Sequence, residues 1–285
     1  MKRFYKTRTG VLGLIILIFF VILASGARYI CPPTQYRSPY EIPRRGFGLE
    51  PRPPRVAPPF GTTEGQYDLY YGVVWGTRFA LTLSLIVVSC SCLIGAVIGA
   101  FSGFYGGIID TIMMRITDIF LAFPFLFAAM ILAAVLGRGF KSLIISIVAF
   151  RWMPYARLIR GEVLRLKSAP FVEACLATGA TSPRILFLHI LPNSIYPVLV
   201  QATMDIGGIV MSASALSFLG LGMDVGYADW GVLISMARNW LITGGLRYWY
   251  TLAFPGGALF LYCLAWNLVG DAVRDVLDPR LRGLV

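Results

Sequence analysis

The chain contains 285 residues, of which 57% are hydrophobic and 14% are charged, and its formal net charge is +11. A mean hydropathy of +0.73 excludes an ordinary soluble domain, and the length is too short for two membrane bundles. Because the basic residues concentrate beside apolar runs, membrane topology explains the positive charge better than nucleic-acid binding does. The five cysteines show neither metal-ligand nor disulfide spacing. The composition therefore predicts one integral membrane unit without a metal site.

The N-terminal segment joins a basic flank to an apolar run. No acidic residue precedes the apolar stretch at 11–27, whereas four basic residues do: Lys2, Arg3, Lys6 and Arg8. The positive-inside rule places this flank in the cytoplasm, and the length of the run favours a retained anchor over a cleaved signal peptide. Residues 1–28 are thus predicted to be a cytoplasmic tail and the first transmembrane helix.

Residues 29–72 differ abruptly from the rest of the chain, because they are rich in Pro, Arg, Tyr and Gly. Their nine prolines exclude long helices and central strands. We predict an extended extracytoplasmic segment that lies over the membrane bundle. Its arginines do not contradict this location, since the positive-inside bias is weaker in longer loops.

Five further apolar runs are predicted to cross the membrane: 79–103, 119–136, 143–159, 194–221 and 251–269. Small residues in the first of these runs have spacings that let helices approach closely: Ser89, Ser91, Gly95, Ala96, Gly99 and Ala100. Pro154 interrupts the run at 143–159. Residues 103–118 are predicted to be a short cytoplasmic connection, and residues 222–250 an external loop with an interfacial aromatic belt. The predicted fold class is an all-α integral membrane protein with six transmembrane helices, both termini cytoplasmic, and a main domain at 73–285.

A basic cluster follows the fourth span and marks a cytoplasmic face: Arg157, Arg160, Arg165 and Lys167. If the N-terminus is cytoplasmic, an even number of spans must precede this cluster, and four do. The loop at 160–192 is therefore predicted to be cytoplasmic on two independent grounds.

Polar residues and prolines punctuate the sequence between the fourth and fifth spans. Pro170 suits the first turn of a short helix over 169–178, where Glu173 would meet free backbone amides. Gly179 supplies the backbone freedom to end that helix, and Ser182 with Pro183 opens a second helical piece that reaches Pro192. We call residues 168–192 the elbow.

The elbow resembles the EAA signature of permease subunits of binding-protein-dependent ABC importers. The resemblance rests on Glu173-Ala174-Cys175, then Gly179, then His189-Ile190-Leu191-Pro192-Asn193. The His-Ile-Leu-Pro-Asn ending is similar to the dipeptide, oligopeptide and nickel branch. Two positions depart from the general signature, with Cys175 in place of a second Ala and His189 in place of Ile. Weaker likenesses extend the resemblance over residues 59–282, including a charged C-terminal motif, although Ala213 stands where the family often has Glu.

The resemblance implies a type I ABC importer permease (MetI-like) fold whose elbow is a coupling helix that seats in a groove of a cytoplasmic ATPase. It implies four partners in a bacterial or archaeal cytoplasmic membrane, which are a homologous second permease forming a heterodimer, two ABC ATPase subunits and an extracytoplasmic solute-binding protein. ATP and Mg would be bound by the ATPases, and no cofactor by this chain. The implied coupling residues are Glu173, Ala174, Cys175, Gly179, His189, Leu191 and Pro192. The cargo stays open among dipeptides, oligopeptides, nickel and sugars.

Two ionisable residues occur within predicted spans. Asp205 lies near the middle of the fifth span and Arg151 within the fourth. An acid in hydrocarbon costs roughly 2.5–3.5 kcal/mol on insertion scales, so both residues are candidates for function. They either line the transport pathway or form bonds within the bundle interior, and Arg151 has the further alternative of snorkelling to the interface.

Three rival functions are weighed against an importer permease. A secondary transporter would show paired broken helices in two halves, which the sequence lacks. An intramembrane enzyme would have to use His189, the only histidine, as its base. A structural scaffold would leave the elbow spacing unexplained. Residues 137–142 do not form a phosphate loop, because Phe140 rather than Gly precedes Lys141, so the chain has no visible means of hydrolysing nucleotide.

Overall fold

The computed structural model describes residues 8–33 and 38–277. Every named element in this part of the chain is a helix, and pairing of extended backbone is limited there to three isolated bridges. The basic residues Lys2, Arg3 and Lys6 and the C-terminal motif at 278–282 lie outside the described residues. The α-helices are α1 (Arg8–Ile30), α2 (Leu69–Tyr105), α3 (Gly107–Leu121), α4 (Phe125–Leu136), α5 (Phe140–Arg151), α6 (Met153–Lys167), α7 (Pro170–Ala177), α8 (Ser182–Arg184), α9 (Leu191–Phe218), α10 (Trp230–Gly244) and α11 (Trp249–Leu277).

Five helical stretches are long and apolar enough to span a membrane, and a sixth is obtained if α3 and α4 together form one bent span. The five are Thr9–Ile30, Leu69–Tyr105, Phe140–Lys167, Ser182–Phe218 and Trp230–Val276. Each of the six predicted apolar runs falls on one of these stretches or on the bent pair. The predicted all-α membrane fold is confirmed.

The predicted third span, 119–136, is divided between two helices. The axes of α3 and α4 differ in direction by 85°, with the break between Leu121 and Phe125. Pro124 explains the break, because it lacks an N–H and its ring disfavours the helical conformation at Phe123. The predicted connection over 103–118 is mostly helical, since α2 extends to Tyr105 and α3 occupies most of the remainder.

The segment at 222–250 contains a helix that the sequence did not predict. Helix α10 begins after Asp229, whose side chain accepts a hydrogen bond from the backbone N–H of Gly231 at 2.9 Å. A 3-10 turn, Gly245–Tyr248, then leads directly into α11. Apolar packing overrode the expected loop, because Trp230, Leu233 and Met236 from one side of α10 are buried in the main core.

Close contact between α2 and α6 confirms the predicted role of small residues. Gly95, Gly99 and Gly103 recur every four residues along one side of α2, where an added Cβ would overlap atoms of α6. At Gly99 the overlapped atom is the backbone carbonyl oxygen of Ala156. Helix α6 itself begins after a break at Trp152, two residues before Pro154, as the predicted interruption requires. Small residues thus let the two backbones meet directly.

The proline-rich segment forms an ordered layer at one end of the bundle. We call residues 38–68 the cap. Its backbone pairs with the loop before α10, through Ile42 N–H to Gly226 O at 2.8 Å and Ala228 N–H to Tyr40 O at 2.7 Å. Phe60 stacks on Phe254 of α11 with ring centroids 3.9 Å apart. The cap ends at Asp68, which begins α2 by accepting a hydrogen bond from the Tyr71 N–H.

Candidate functional site

The predicted elbow is present between α6 and α9. Its short helix α7 runs from Pro170 to Ala177, close to the predicted 169–178, and Pro170 occupies its first turn. The residue before it, Ala169, has extended backbone and makes no side-chain cap. Glu173 lies in the first turn and is exposed, where its carboxylate is favoured by the amide end of the helix.

Gly179 ends α7 in a Schellman motif. Its φ of +79° is in the left-handed region, where glycine has no steric penalty. The Gly179 N–H donates to Leu176 O and the Ala180 N–H donates to Cys175 O, each at 3.0 Å. These two bonds satisfy carbonyls that a helix end leaves free. An added Cβ at Gly179 meets no atom within 4 Å, so backbone conformation and not space requires glycine there.

The elbow has an inner face that packs on the bundle. Val172 is buried in a cluster with residues of α2 and α6, and Cys175 and Ala180 lie against the same cluster. Cys175, one of the implied coupling residues, is half-buried against this cluster, so its small side chain also suits packing within this chain.

The outer face of the elbow is exposed. It carries the predicted residues Glu173 and Ala174, and also two large apolar residues that the sequence analysis did not single out. These are Phe171 and Leu176, of which 39% and 58% are exposed. Large apolar side chains on a polar connection were the signal that could have identified them.

The joint between the elbow and α9 is a widened helix. Residues Ile185–Ile190 form a π-helical stretch that continues into α9, where Pro192 lies in the first turn. Because Pro192 has no N–H to donate and its ring crowds the preceding turn, a local widening is the expected response. The Asn193 side-chain amide donates to the carbonyl of His189 at 2.6 Å. The chain thus passes from Ser182 to Phe218 without a loop.

The remaining predicted coupling residues lie at this joint. His189 is half-buried, and Leu191 and Pro192 border an apolar cleft of about 420 Å³ between α2, α6 and α9. Within residues 8–33 and 38–277, no three His, Cys, Asp or Glu side chains are grouped as metal ligands would be. His189, Leu191 and Pro192 thus lie at the joint between the elbow and α9, whereas Glu173 and Ala174 lie on α7.

Ion pairs tie α3 to α6 next to the elbow. Arg160 contacts both carboxylate oxygens of Asp110, at 2.5 and 2.6 Å, and Arg157 contacts Asp118 at 2.5 Å. Lys167, the last residue of α6, donates to the carbonyl of Phe104 at 2.6 Å. The sequence showed these basic residues only as topology signals, because the acidic partners of Arg157 and Arg160 lie 39 and 50 residues away along the chain.

Arg151 and Asp205 meet inside the bundle. A guanidinium nitrogen of Arg151 lies 3.0 Å from Asp205 Oδ1, and the side-chain amide of Gln201 donates to the same oxygen at 3.2 Å. Arg151 also lies over the ring of Phe125 at 5.3 Å. The sequence identified the two charged residues but not their pairing, and it missed Gln201 and Phe125.

Known proteins provide an independent comparison. Residues 95–283 match the family described as "Binding-protein-dependent transport system inner membrane component". The chain is 34% identical over 281 residues to the dipeptide transport system permease protein DppC of Alkalihalophilus pseudofirmus, covering 99% of this chain and 89% of that protein. It is 39% identical over 231 residues to the probable D,D-dipeptide transport system permease protein DdpC of Escherichia coli K12, covering 81% and 76%.

A third relative belongs to an oligopeptide transport system. Identity to the oligopeptide transport system permease protein OppC of Bacillus subtilis is 34% over 282 residues, covering 99% of this chain and 89% of that protein. The elbow, the helical bundle and these matches agree. The chain therefore belongs to the family of binding-protein-dependent transport system inner membrane components, as a multi-pass permease subunit of an ATP-driven importer that has ATPase and binding-protein partners and no ATPase site of its own.

Proposed function

We propose that this permease forms one half of a peptide translocation pathway in a bacterial or archaeal cytoplasmic membrane. A homologous second permease would complete the pathway as a heterodimer. Two ATPase subunits, which bind the ATP and Mg, would engage the elbows, while a solute-binding protein delivers cargo at the cap side. Membrane lipids surround the bundle, and this chain itself holds no cofactor. Peptide cargo is supported by the similarity to permeases of dipeptide, D,D-dipeptide and oligopeptide transport systems.

The division of the elbow into two faces is the observation that carries the ATPase assignment. Its inner face is anchored by Val172 in the bundle, while Glu173 is exposed on the outer side and Phe171 and Leu176 are exposed at the two edges of the same short helix. An apolar surface with one carboxylate suits a groove that offers apolar walls and a basic rim. Neighbouring arginines of α6 support a cytoplasmic location, because positive residues concentrate on that side.

The helix that continues from the second part of the elbow into α9 provides a route by which motion of the ATPases would reach the membrane span. Closure of the ATPase pair on ATP would draw the two elbows together. Since Ser182–Phe218 is helical without a loop, motion of the elbow would move α9 as one body. The cleft beside Leu191 and Pro192 leaves room for that motion. Alternating access would follow from rocking of the two permeases, and the cargo would undergo no chemistry.

Changing exposed elbow residues tests this assignment. Leu176→Ala and Glu173→Ala remove contacts that exist only in the complex, so stability should change by less than about 0.5 kcal/mol. Capture of the ATPases by the tagged permease should weaken about tenfold for Leu176→Ala, as expected for an interface anchor. Binding-protein-dependent uptake should fall in parallel.

The matched control is Leu219→Ala, which removes an equally exposed leucine from the region after the other end of α9. This variant should retain ATPase capture. Full capture and full uptake by both elbow variants would refute the coupling role of the elbow.

A further inference from the structure

Helix α9 carries a polar stripe halfway along its membrane-spanning length. Gln201, Asp205, Gly208 and Ser212 follow the spacing i, i+4, i+7 and i+11, which places them on one side of the helix. Asp205 is buried, Gln201 and Ser212 are half-buried, and Gly208 is exposed. The stripe is therefore open to the surroundings of the bundle at the level of Gly208.

Arg151 reaches this stripe from the break between α5 and α6. It pairs with Asp205, and an added Cβ at Gly208 would lie 3.3 Å from its terminal nitrogen. Arg151 also lies over the ring of Phe125, which is the first residue of α4 and directly follows the 85° bend. The break between α5 and α6 and the bend between α3 and α4 thus both lie next to this charged pair.

The pair has unused hydrogen-bonding capacity. Asp205 is only 8% exposed, yet its Oδ2 has no hydrogen-bond partner among the described residues. The same holds in this part of the chain for Arg151 Nε and Tyr155 Oη, which are also inaccessible to solvent. Buried polar atoms normally find partners, because each missing bond costs about 1–3 kcal/mol. A polar ligand could use this capacity only when the Arg151 and Asp205 side chains separate and expose it.

The open side of this cluster does not suit lipid. The Arg151 side chain is 22% exposed near the middle of a 28-residue span, and charge at that depth is costly in hydrocarbon. A polar stripe at mid-depth is stable where it faces a water-filled pathway or another protein surface. The side of the bundle that carries Gly208 and Arg151 therefore belongs to the interior of the assembled transporter.

We propose that Arg151 and Asp205 form a cargo-contact site for the terminal charges of short zwitterionic peptides, a role that rests on the proposed function above. The two residues carry opposite charges that neutralise each other when no cargo is present. A passing peptide offers a carboxylate to Arg151 and an ammonium group to Asp205, with Gln201 able to donate to a peptide carbonyl. The exchange replaces one ion pair by two, so no net charge is left in the pathway.

A double apolar variant separates this role from a structural one. Arg151→Met with Asp205→Leu replaces the ion pair by groups of similar size, a change that buried ion pairs often tolerate without loss of stability. The full transporter is reconstituted in proteoliposomes with its binding protein, and uptake of radiolabelled alanyl-alanine is measured per ATP hydrolysed. We expect binding-protein-stimulated ATP hydrolysis to persist and uptake per ATP to fall about tenfold, because about 1.4 kcal/mol of cargo contact is lost.

Unchanged uptake per ATP would overturn the proposal and leave the pair a structural tie. If the double variant does not assemble, Arg151→Gln with Asp205→Asn, which retains volume and polarity, is measured in the same way. Absence of ATP-dependent uptake by the wild-type transporter would instead contradict the proposed function.

Thiol labelling tests the orientation of the stripe independently. Gln201→Cys should react with a membrane-impermeant thiol reagent in the assembled transporter, above the labelling of wild type, and alanyl-alanine should slow the reaction. The control is Leu199→Cys, which is 47% exposed but lies on the opposite side of α9. Labelling of Leu199→Cys without labelling of Gln201→Cys would place the stripe away from water and overturn the proposal.

Discussion

The cap and the elbow are both irregular connections, but they are held in different ways. The cap is fastened by polar bonds and aromatic stacking, such as Arg45 to Asp68 at 2.8 Å and Tyr248 Oη to Glu50 at 2.7 Å. The elbow is anchored on its inner face by apolar side chains around Val172. Directional bonds at many points fix the position of a segment, whereas apolar contacts on one face allow it to shift as a unit.

The difference indicates which end of the bundle is built to move. Regions with few buried contacts and exposed backbone open at lower free energy than core elements. The elbow leaves one face free for a partner, whereas the cap covers its end of the bundle. A connection that transmits force must keep its own shape and must leave a surface open to the partner. Helix α7 keeps its shape through the Schellman motif, and its outer face is exposed.

The largest loss of stability is expected where α2 packs on α6. Helix α2 begins at the cap, and its other end packs near the elbow. Gly99→Leu places a side chain where even a Cβ overlaps the carbonyl oxygen of Ala156. The two helices must separate, at a cost of more than about 3 kcal/mol. Hydrogen exchange should increase in the elbow and α6, while the cap stays protected. Gly161→Ala is the control, because its Cβ meets no atom within 4 Å, and it should be neutral or slightly stabilising. Equal loosening of cap and elbow would contradict the separation of the two regions.

Beside the cap, a buried acid should make stability depend on pH. Burial raises the pKa of Asp229 from 3.8 to about 6, against the opposing effect of hydrogen bonds from Ser217 and the Gly231 N–H. The folded state then binds the extra proton between about pH 4 and pH 6, so stability falls by about 3 kcal/mol as the pH rises through this window and is flat above it. Asp229→Asn keeps an acceptor for Gly231 and should abolish this dependence, as measured by thermal unfolding in detergent.

Asp224→Asn is the matched control for that measurement, since Asp224 lies in the same loop with a side chain that is 78% exposed. It should leave the pH dependence of the melting temperature as in wild type. A pH-independent wild-type protein between pH 4 and pH 6 would contradict the raised pKa of Asp229.

The sequence could predict features that depend on neighbouring residues, but not contacts between residues far apart along the chain. The apolar runs, the Gly179 turn and the small residues of α2 are local patterns, and the structure confirms each of them. The bend at Pro124 was overlooked, although its cause is also local. The pairs Arg151–Asp205 and Arg160–Asp110 join residues 54 and 50 positions apart, so only the packed bundle reveals them. The coupling roles of Glu173 and its neighbours stay predictions.

A smaller effect is expected at the end of the cap. Asp68→Ala removes the N-cap of α2 and the partner of Arg45, and should cost about 1–2 kcal/mol. The arginine adds little to this cost because its side chain is 54% exposed. Asp68→Asn retains an acceptor for the Tyr71 N–H and should recover most of the loss in thermal stability. Equal destabilisation by both variants would show that the ion pair, and not the helix cap, fixes this end of the cap.

A loss of stability of similar size compares the two ends of the bundle directly, because one glycine with positive φ and open space lies in the elbow and another lies beside the cap. Gly179 in the elbow has φ +79° and Gly245 before α11 has φ +58°, and neither would place a Cβ within 4 Å of another atom. Substitution by Ala should cost about 1–2 kcal/mol locally at either site, since only the left-handed backbone is penalised. Gly179→Ala should weaken ATPase capture, Gly179→Leu should do so equally, and Gly179→Asn less, because Asn tolerates this conformation. Gly245→Ala should leave capture unchanged. If Gly245→Ala weakened capture as much as Gly179→Ala, the ATPases would be sensing the global stability of the permease, and the elbow would have no special part in binding them.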